Sequence, residues 1–87
     1  MLTNRQQKVI TELKGKKVGV LGLGLRSGVP LIRFLHSIGC QVVACDRKEA
    51  AQLKGVLDAL QGIPLELRLG ADYLTQLADC QVLFRTP

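Results

Sequence analysis

Three glycines and a run of three charged residues are the parts of this chain whose types and spacing could do chemistry. Gly22, Gly24 and Gly28 stand in the stretch VLGLGLRSGVPL, after an apolar run and before an amphipathic one. A glycine turn between a strand and a helix lets backbone N–H groups approach a phosphate, and the positive end of the helix favours the anion. The spacing Gly-x-Gly-x-x-x-Gly is one residue wider than the dinucleotide fingerprint Gly-x-Gly-x-x-Gly. Such a turn could also serve only to let helix and strand pack closely. Asp46, Arg47 and Lys48 end the next apolar run. Asp46 lies twenty-two residues after Gly24, where an acidic side chain at a strand end can accept a ribose hydroxyl hydrogen bond. It also lies three residues before Glu49, the spacing of a helix-capping box. Both roles remain open at this level.

The elements that must position these residues follow from hydrophobic period. TNRQQKVITELKG opens with Thr3 three residues before Gln6, a capping-box spacing, carries Ile10 and Leu13 on one face and stops at Gly15. KKVGVLG is a compact apolar run suited to a strand buried on both faces. Ser27 is placed to cap the next helix, which tolerates Pro30 in its first turn and aligns Leu31, Ile32, Leu35 and Ile38 in a stripe. His36 falls on the polar side of that helix, a solvated position. QVVACD reads as a second buried strand, and residues 47–62 as a helix with Leu53, Val56, Leu57 and Leu60 at helical spacing. PLELRLG alternates leucines with Glu66 and Arg68, as in a strand wet on one face at a sheet edge. A brief helical turn near residues 72–77 leads to a fourth strand in CQVLFRTP.

Alternating strands and helices imply right-handed crossovers and an open parallel sheet of about four strands, an α/β, Rossmann-like fold with helices on both faces. The wet third strand belongs outside, so the order is 3-2-1-4, with the switch point between the first and fourth strands. The 87 residues form one domain over 1–87, led by a helix over 1–15. A dinucleotide occupies two such halves, whereas this chain offers one half and a closing strand, enough to cradle one nucleotide.

Charge and composition narrow the partners. Arg26 follows the first strand, Arg47 and Lys48 follow the second and Arg85 closes the fourth, so four of the twelve cations collect at the carboxyl edge where open α/β sheets bind ligands. A phosphorylated small molecule accounts for that placement better than a nucleic-acid stripe. With only Phe34, Tyr73 and Phe84 as aromatics, nucleic acid would also find little to stack on. Cys40, Cys45 and Cys80 have no Cys-x-x-Cys spacing and read as reduced, buried thiols of a cytoplasmic protein rather than metal ligands. The sequence carries neither a signal-peptide pattern nor a membrane-spanning segment, so no membrane partner is expected.

The stretches VLGLGLRSGVPLIRFLHSIGCQVVACDRK and LRLGADYLTQLADCQVLFRTP, in that order, resemble the N-terminal domain of the Mur ligases, above all the branch that adds D-glutamate. The likeness runs from Lys17 to Pro87. It rests on the Gly-Leu-Gly-Leu turn, on Asp-Arg-Lys after the second strand, and on Arg-Thr-Pro where that family has Ser/Thr-Pro-Gly. The resemblance implies a domain that holds the UDP end of a UDP-linked muramoyl substrate. By position it puts Leu25 and Ser27 beside the diphosphate, Arg47 and Lys48 around the uridine, and Thr86 and Pro87 at the start of a third contact loop; with Gly24, Arg26, Gly28 and Asp46 these are the expected UDP-binding residues. Arg26 is an extra residue relative to the commoner pattern, which leaves the register of Ser27 open. It further implies a central ATP-binding domain and a C-terminal domain in the same full-length chain, with ATP and Mg serving the reaction there. The sequence has no Gly-x-x-x-x-Gly-Lys-Ser/Thr loop, so catalytic residues are expected beyond Pro87 and neither these nor a metal site among the 87 residues. Two other classes stay open: an NAD(P)-binding domain of a dehydrogenase or regulatory module, for which Asp46 speaks, and an interaction domain with a vestigial pocket.

Overall fold

A computed structural model describes residues 2–86. The order of elements is α1 (Asn4–Leu13), β1 (Lys17–Leu21), α2 (Gly28–Ser37), β2 (Gln41–Asp46), a 3-10 helix (Ala50–Leu53) continuing into α3 (Lys54–Ala59), β3 (Leu65–Leu69), a second 3-10 helix (Tyr73–Gln76) and β4 (Val82–Arg85). The four strands form one parallel sheet in the order β3-β2-β1-β4, as the sequence pattern predicts. The capping box at the start of α1 is made in both directions: Gln6 N donates to Thr3 Oγ1 at 3.1 Å and Thr3 N to Gln6 Oε1 at 2.8 Å.

One sheet face carries Val18, Val20, Val42 and Ala44, which pack with Val29, Ile32 and Leu35 of α2 and with Leu53, Val56 and Leu60 from the α3 region. Val18, Val20, Ile32 and Leu35 are wholly excluded from solvent, each worth roughly 1.5–3 kcal/mol of burial. The other face, with Val43 and Cys45, has no α-helix to cover it among the described residues. The segment around Tyr73–Gln76 lies there, and it is held by charge. Arg68 donates to both oxygens of Asp79, at 2.6 and 2.8 Å, to Glu66 Oε2 at 2.6 Å and to the Gln76 carbonyl. Lys17 Nζ reaches Asp79 Oδ2 at 2.5 Å. β3 sits at the edge as predicted, but the wet and dry sides are less distinct than its alternation implies. The Arg68 side chain is 10% exposed, whereas Leu67 is 42% exposed. The guanidinium is drawn onto the sheet by its three acceptors.

The second helix differs from its expected span. It opens at Ala50 rather than Arg47, begins as a 3-10 turn, and ends at Ala59 before Gly62. The capping role for Asp46 is thereby corrected. Its Oδ1 accepts from Lys48 N at 2.9 Å in a local Asx turn, which holds the chain out of helix. Glu49 is the capping residue instead, its N–H donating to Gln52 Oε1 at 3.0 Å. Ser27 holds the cap position of α2 but its side chain makes no capping bond. His36 is exposed. All three cysteines are free, Cys40 and Cys45 buried and Cys80 partly so. Burial pushes the Cys45 thiol up to about 11, so it stays protonated and inert at neutral pH.

The Arg68 guanidinium, and after it the Lys17 ammonium, holds the Asp79 carboxyl well below its usual range. A depressed carboxyl contributes stability above its unfolded value near 4 and loses it as pH falls toward the folded value. Urea unfolding followed from about pH 6 to about pH 2.5 should therefore show wild type more stable than Asp79→Asn at the upper end. The two curves should draw together in acid, and parallel curves would deny the network this role.

Candidate functional site

At the carboxyl edge, β1 runs into the glycine turn, and the neighbouring strands β2 and β4 hold that turn from both sides. Gly22 has φ +102°, a conformation that favours glycine. The Leu21–Gly22 peptide donates its N–H to Cys45 O at 2.9 Å and accepts at its carbonyl from Thr86 N at 2.9 Å. The following Gly22–Leu23 peptide donates its N–H to Asp46 Oδ2 at 2.9 Å. Its carbonyl accepts from the Thr86 hydroxyl at 2.9 Å, a proton shared with Leu21 O at 3.1 Å. The Leu23 side chain, 4% exposed, pins the turn to the core.

The three glycines do different work. A Cβ on Gly22 would lie 2.3 Å from Thr86 Oγ1, and one on Gly28 would lie 2.4 Å from Gly22 O and 2.9 Å from Leu23 Cα. These two positions are demanded by the fold. Gly24 is not: a Cβ there would meet only Ser27 Oγ, at 3.4 Å. The turn accommodates its extra residue through a wide closure, Val29 N donating to Gly24 O at 2.9 Å. Ser27 is the residue immediately before α2.

The consequence is a cluster of free donors. Among the described residues, the N–H groups of Gly24, Leu25, Arg26, Ser27 and Gly28 donate to no protein acceptor. They stand at the positive end of a ten-residue helix, an arrangement suited to an anion. Gly24, Leu25 and Arg26 are exposed, Leu25 at 59%. Arg26, Arg47, Lys48 and Arg85 are all exposed, and none makes an ion pair among the described residues. Because β1 lies between β2 and β4, the turn, the Asp46–Lys48 segment and Thr86 come together at one edge of the sheet. Pro87 lies outside the described residues. The side-chain oxygens of Asp46 are each engaged by one N–H, from Leu23 and from Lys48, and an ionised carboxylate has acceptor sites to spare.

Sequence reasoning missed Leu23 and the inward bond of Thr86. A leucine between two glycines carries no periodic signal, and the Thr86 hydroxyl meets acceptors 64 and 65 residues away. A depression of about 430 Å³ lies at the opposite edge, beside Lys17, Gln41 and Leu65 at the strands' amino ends. It lacks the exposed helix N-terminus that the turn provides.

No family model matches the chain, and no solved structure matches it. Its sequence is similar to curated UDP-N-acetylmuramoylalanine–D-glutamate ligases. That of Ruminiclostridium cellulolyticum is 36% identical over 86 residues, covering 99% of this chain and 18% of the relative. That of Acetivibrio thermocellus is 40% identical over 87% of this chain and 16% of the relative, and that of Clostridium beijerinckii 44% identical over 84% and 16%. The chain thus spans less than one fifth of the length of the curated relatives it matches.

The glycine geometry separates two substitutions. Gly28→Ala forces a Cβ onto a backbone carbonyl and should cost about 1–3 kcal/mol of stability by overpacking. Gly24→Ala should move stability by no more than about 0.5 kcal/mol. Urea denaturation of the two variants checks this, and equal losses would mean that Gly24 too is held by the fold.

Proposed function

We propose, from the premise that this chain belongs with the UDP-N-acetylmuramoylalanine–D-glutamate ligases, whose N-terminal domain it matches, that it binds the UDP end of a UDP-linked muramoyl substrate. The observation that carries the reading is the row of five undonated N–H groups from Gly24 to Gly28 at the start of α2. A diphosphate supplies the acceptors those donors lack. Arg26 adds charge beside them, while Arg47 and Lys48 stand where a nucleoside extending toward the end of β2 would lie. Asp46 keeps spare acceptor capacity for a ribose hydroxyl or a base N–H. Thr86 borders the same edge.

In this reading the longer protein joins D-glutamate to the bound substrate at the expense of ATP, and this domain's part is to hold and orient one end of the substrate. Orientation converts an encounter between two molecules into a step within one complex. The reading assigns ATP and Mg to other domains of that protein, as the family resemblance implies. The three free thiols favour action in a reducing cytoplasm. Among the described residues no helix is long and apolar enough to cross a membrane.

A nicotinamide dinucleotide is the second reading, favoured by Asp46 at the end of β2. The two part at Arg47 and Lys48. In calorimetric titrations, UDP should bind the chain and NAD should not. Converting Arg47 and Lys48 together to Ala should weaken UDP by roughly 1–3 kcal/mol, the loss expected for charge-assisted hydrogen bonds. Gly24→Val should abolish UDP binding without unfolding the chain, by filling the space a phosphate needs. Saturable NAD binding that depends on Asp46, with no heat from UDP, would replace the ligase reading by the dehydrogenase one.

A further inference from the structure

We propose that Thr86 is a positioning residue for the anion-binding turn, acting through the Gly22–Leu23 peptide rather than by touching the ligand. The proposal rests on the reading of that turn as the diphosphate site. A peptide plane has two handles, its oxygen and its N–H, and here both are held. The Thr86 hydroxyl holds Gly22 O at 2.9 Å and the Asp46 carboxylate holds Leu23 N at 2.9 Å.

Such a clamp is needed because of the residue at its centre. Gly22 sits at φ +102°, and glycine populates alternative φ/ψ regions at little cost. The peptide after it could therefore rotate and turn its carbonyl toward the row of N–H groups. An oxygen aimed there would repel a phosphate and compete for the same donors. Gly28 packs directly on Gly22 O, where its own Cβ would fall at 2.4 Å, so rotation of this carbonyl would also disturb the first turn of α2. The backbone bond from Thr86 N to Leu21 O is available to any residue but proline at position 86. Only the hydroxyl reaches the next carbonyl along. This recasts Thr86, which the family resemblance assigns to ligand contact, as a residue whose donor proton is spent on the protein.

The test compares the wild-type chain with Thr86→Val, which keeps shape and removes the hydroxyl, and Thr86→Ser, which keeps the hydroxyl. Thr86→Ala serves as the hydroxyl-free variant if Thr86→Val does not fold. Two quantities are read: hydrogen exchange of the Leu23 amide without ligand, and the Kd for UDP. Loss of the hydroxyl should speed Leu23 exchange and raise the Kd, each by roughly three- to tenfold, the size of one net hydrogen bond. Val18 and Val20 amides should exchange as in wild type, and Thr86→Ser should restore both readouts. Unchanged Leu23 exchange in the hydroxyl-free variant would overturn the proposal, including the case in which UDP is weakened, since Thr86 would then act by direct contact. Failure of wild type to bind UDP would instead sink the diphosphate reading, and the exchange arm would still decide whether the clamp exists.

Discussion

Two consecutive peptide groups, Leu21–Gly22 and Gly22–Leu23, are each held at both ends, and the remainder of the edge is built around that restraint. β2 takes the N–H side through Cys45 O and Asp46 Oδ2, and β4 takes the carbonyl side through the N–H and hydroxyl of Thr86. This requires β1 to lie between β2 and β4, which the order β3-β2-β1-β4 provides. It also requires glycine at the middle of the pair and at Gly28, where the helix meets the turn. Beyond these peptides, the N–H groups of the next five residues meet no protein acceptor among the described residues. The same restraint that ends the strand thus opens the donor cluster.

Apolar side chains are buried on both faces of the sheet, and on one of them charge adds to that burial. Apolar burial under α2 and α3 supplies one side. On the other, Arg68, Glu66, Asp79 and Lys17 tie the edge strand to the segment before β4. Exposed ion pairs contribute little singly, but here a bidentate Arg–carboxylate pair is shared with a second cation and a backbone carbonyl. That network also anchors the start of β4, since Asp79 lies three residues before Val82 and Gln81 N bonds Lys17 O at 2.8 Å. The strand that delivers Thr86 to the turn is therefore located at its other end by charge.

What the sequence made legible was set by local signals. The apolar runs of β1 and β2, the alternation of β3 and the stripe on α2 depend on neighbours within a few residues, and with them strand order followed. The candidate site was legible as a place, because glycines and cations gather after strands. Its internal bonding was not. Asp46 offers a local pattern with Glu49, yet its carboxylate is divided between Lys48 N nearby and Leu23 N twenty-three residues away. The distant partner is created by the parallel pairing of β1 with β2, and the spacing that put Asp46 near the turn did not point to the Leu23 N–H. The late start of the second helix follows from the same cause, since the Asx turn at Asp46 displaces the cap to Glu49. Ser27 looked like a cap by type and position, but its location beyond a widened turn leaves its hydroxyl without a capping bond.

The distribution of charge separates attraction from selection at the proposed site. The network on the second face pairs two cations with two carboxylates, so it contributes nothing to the net +5. Arg26, Arg47, Lys48 and Arg85 lie at the ligand edge without ion-pair partners among the described residues. Their mutual repulsion is relieved when an anion arrives, and their pull extends over about a Debye length, roughly 8 Å at physiological ionic strength, so added salt weakens it. The N–H groups behave otherwise. They are neutral dipoles that follow the two peptides held by β2 and β4, effective only at hydrogen-bond distance and in one direction. Long, mobile side chains can gather many phosphorylated molecules, but the pinned turn accepts only an anion whose oxygens match its geometry. In the proposed reading, selectivity for a diphosphate would come from the turn, whose first two peptides are held by Asp46 and Thr86, rather than from the four cations.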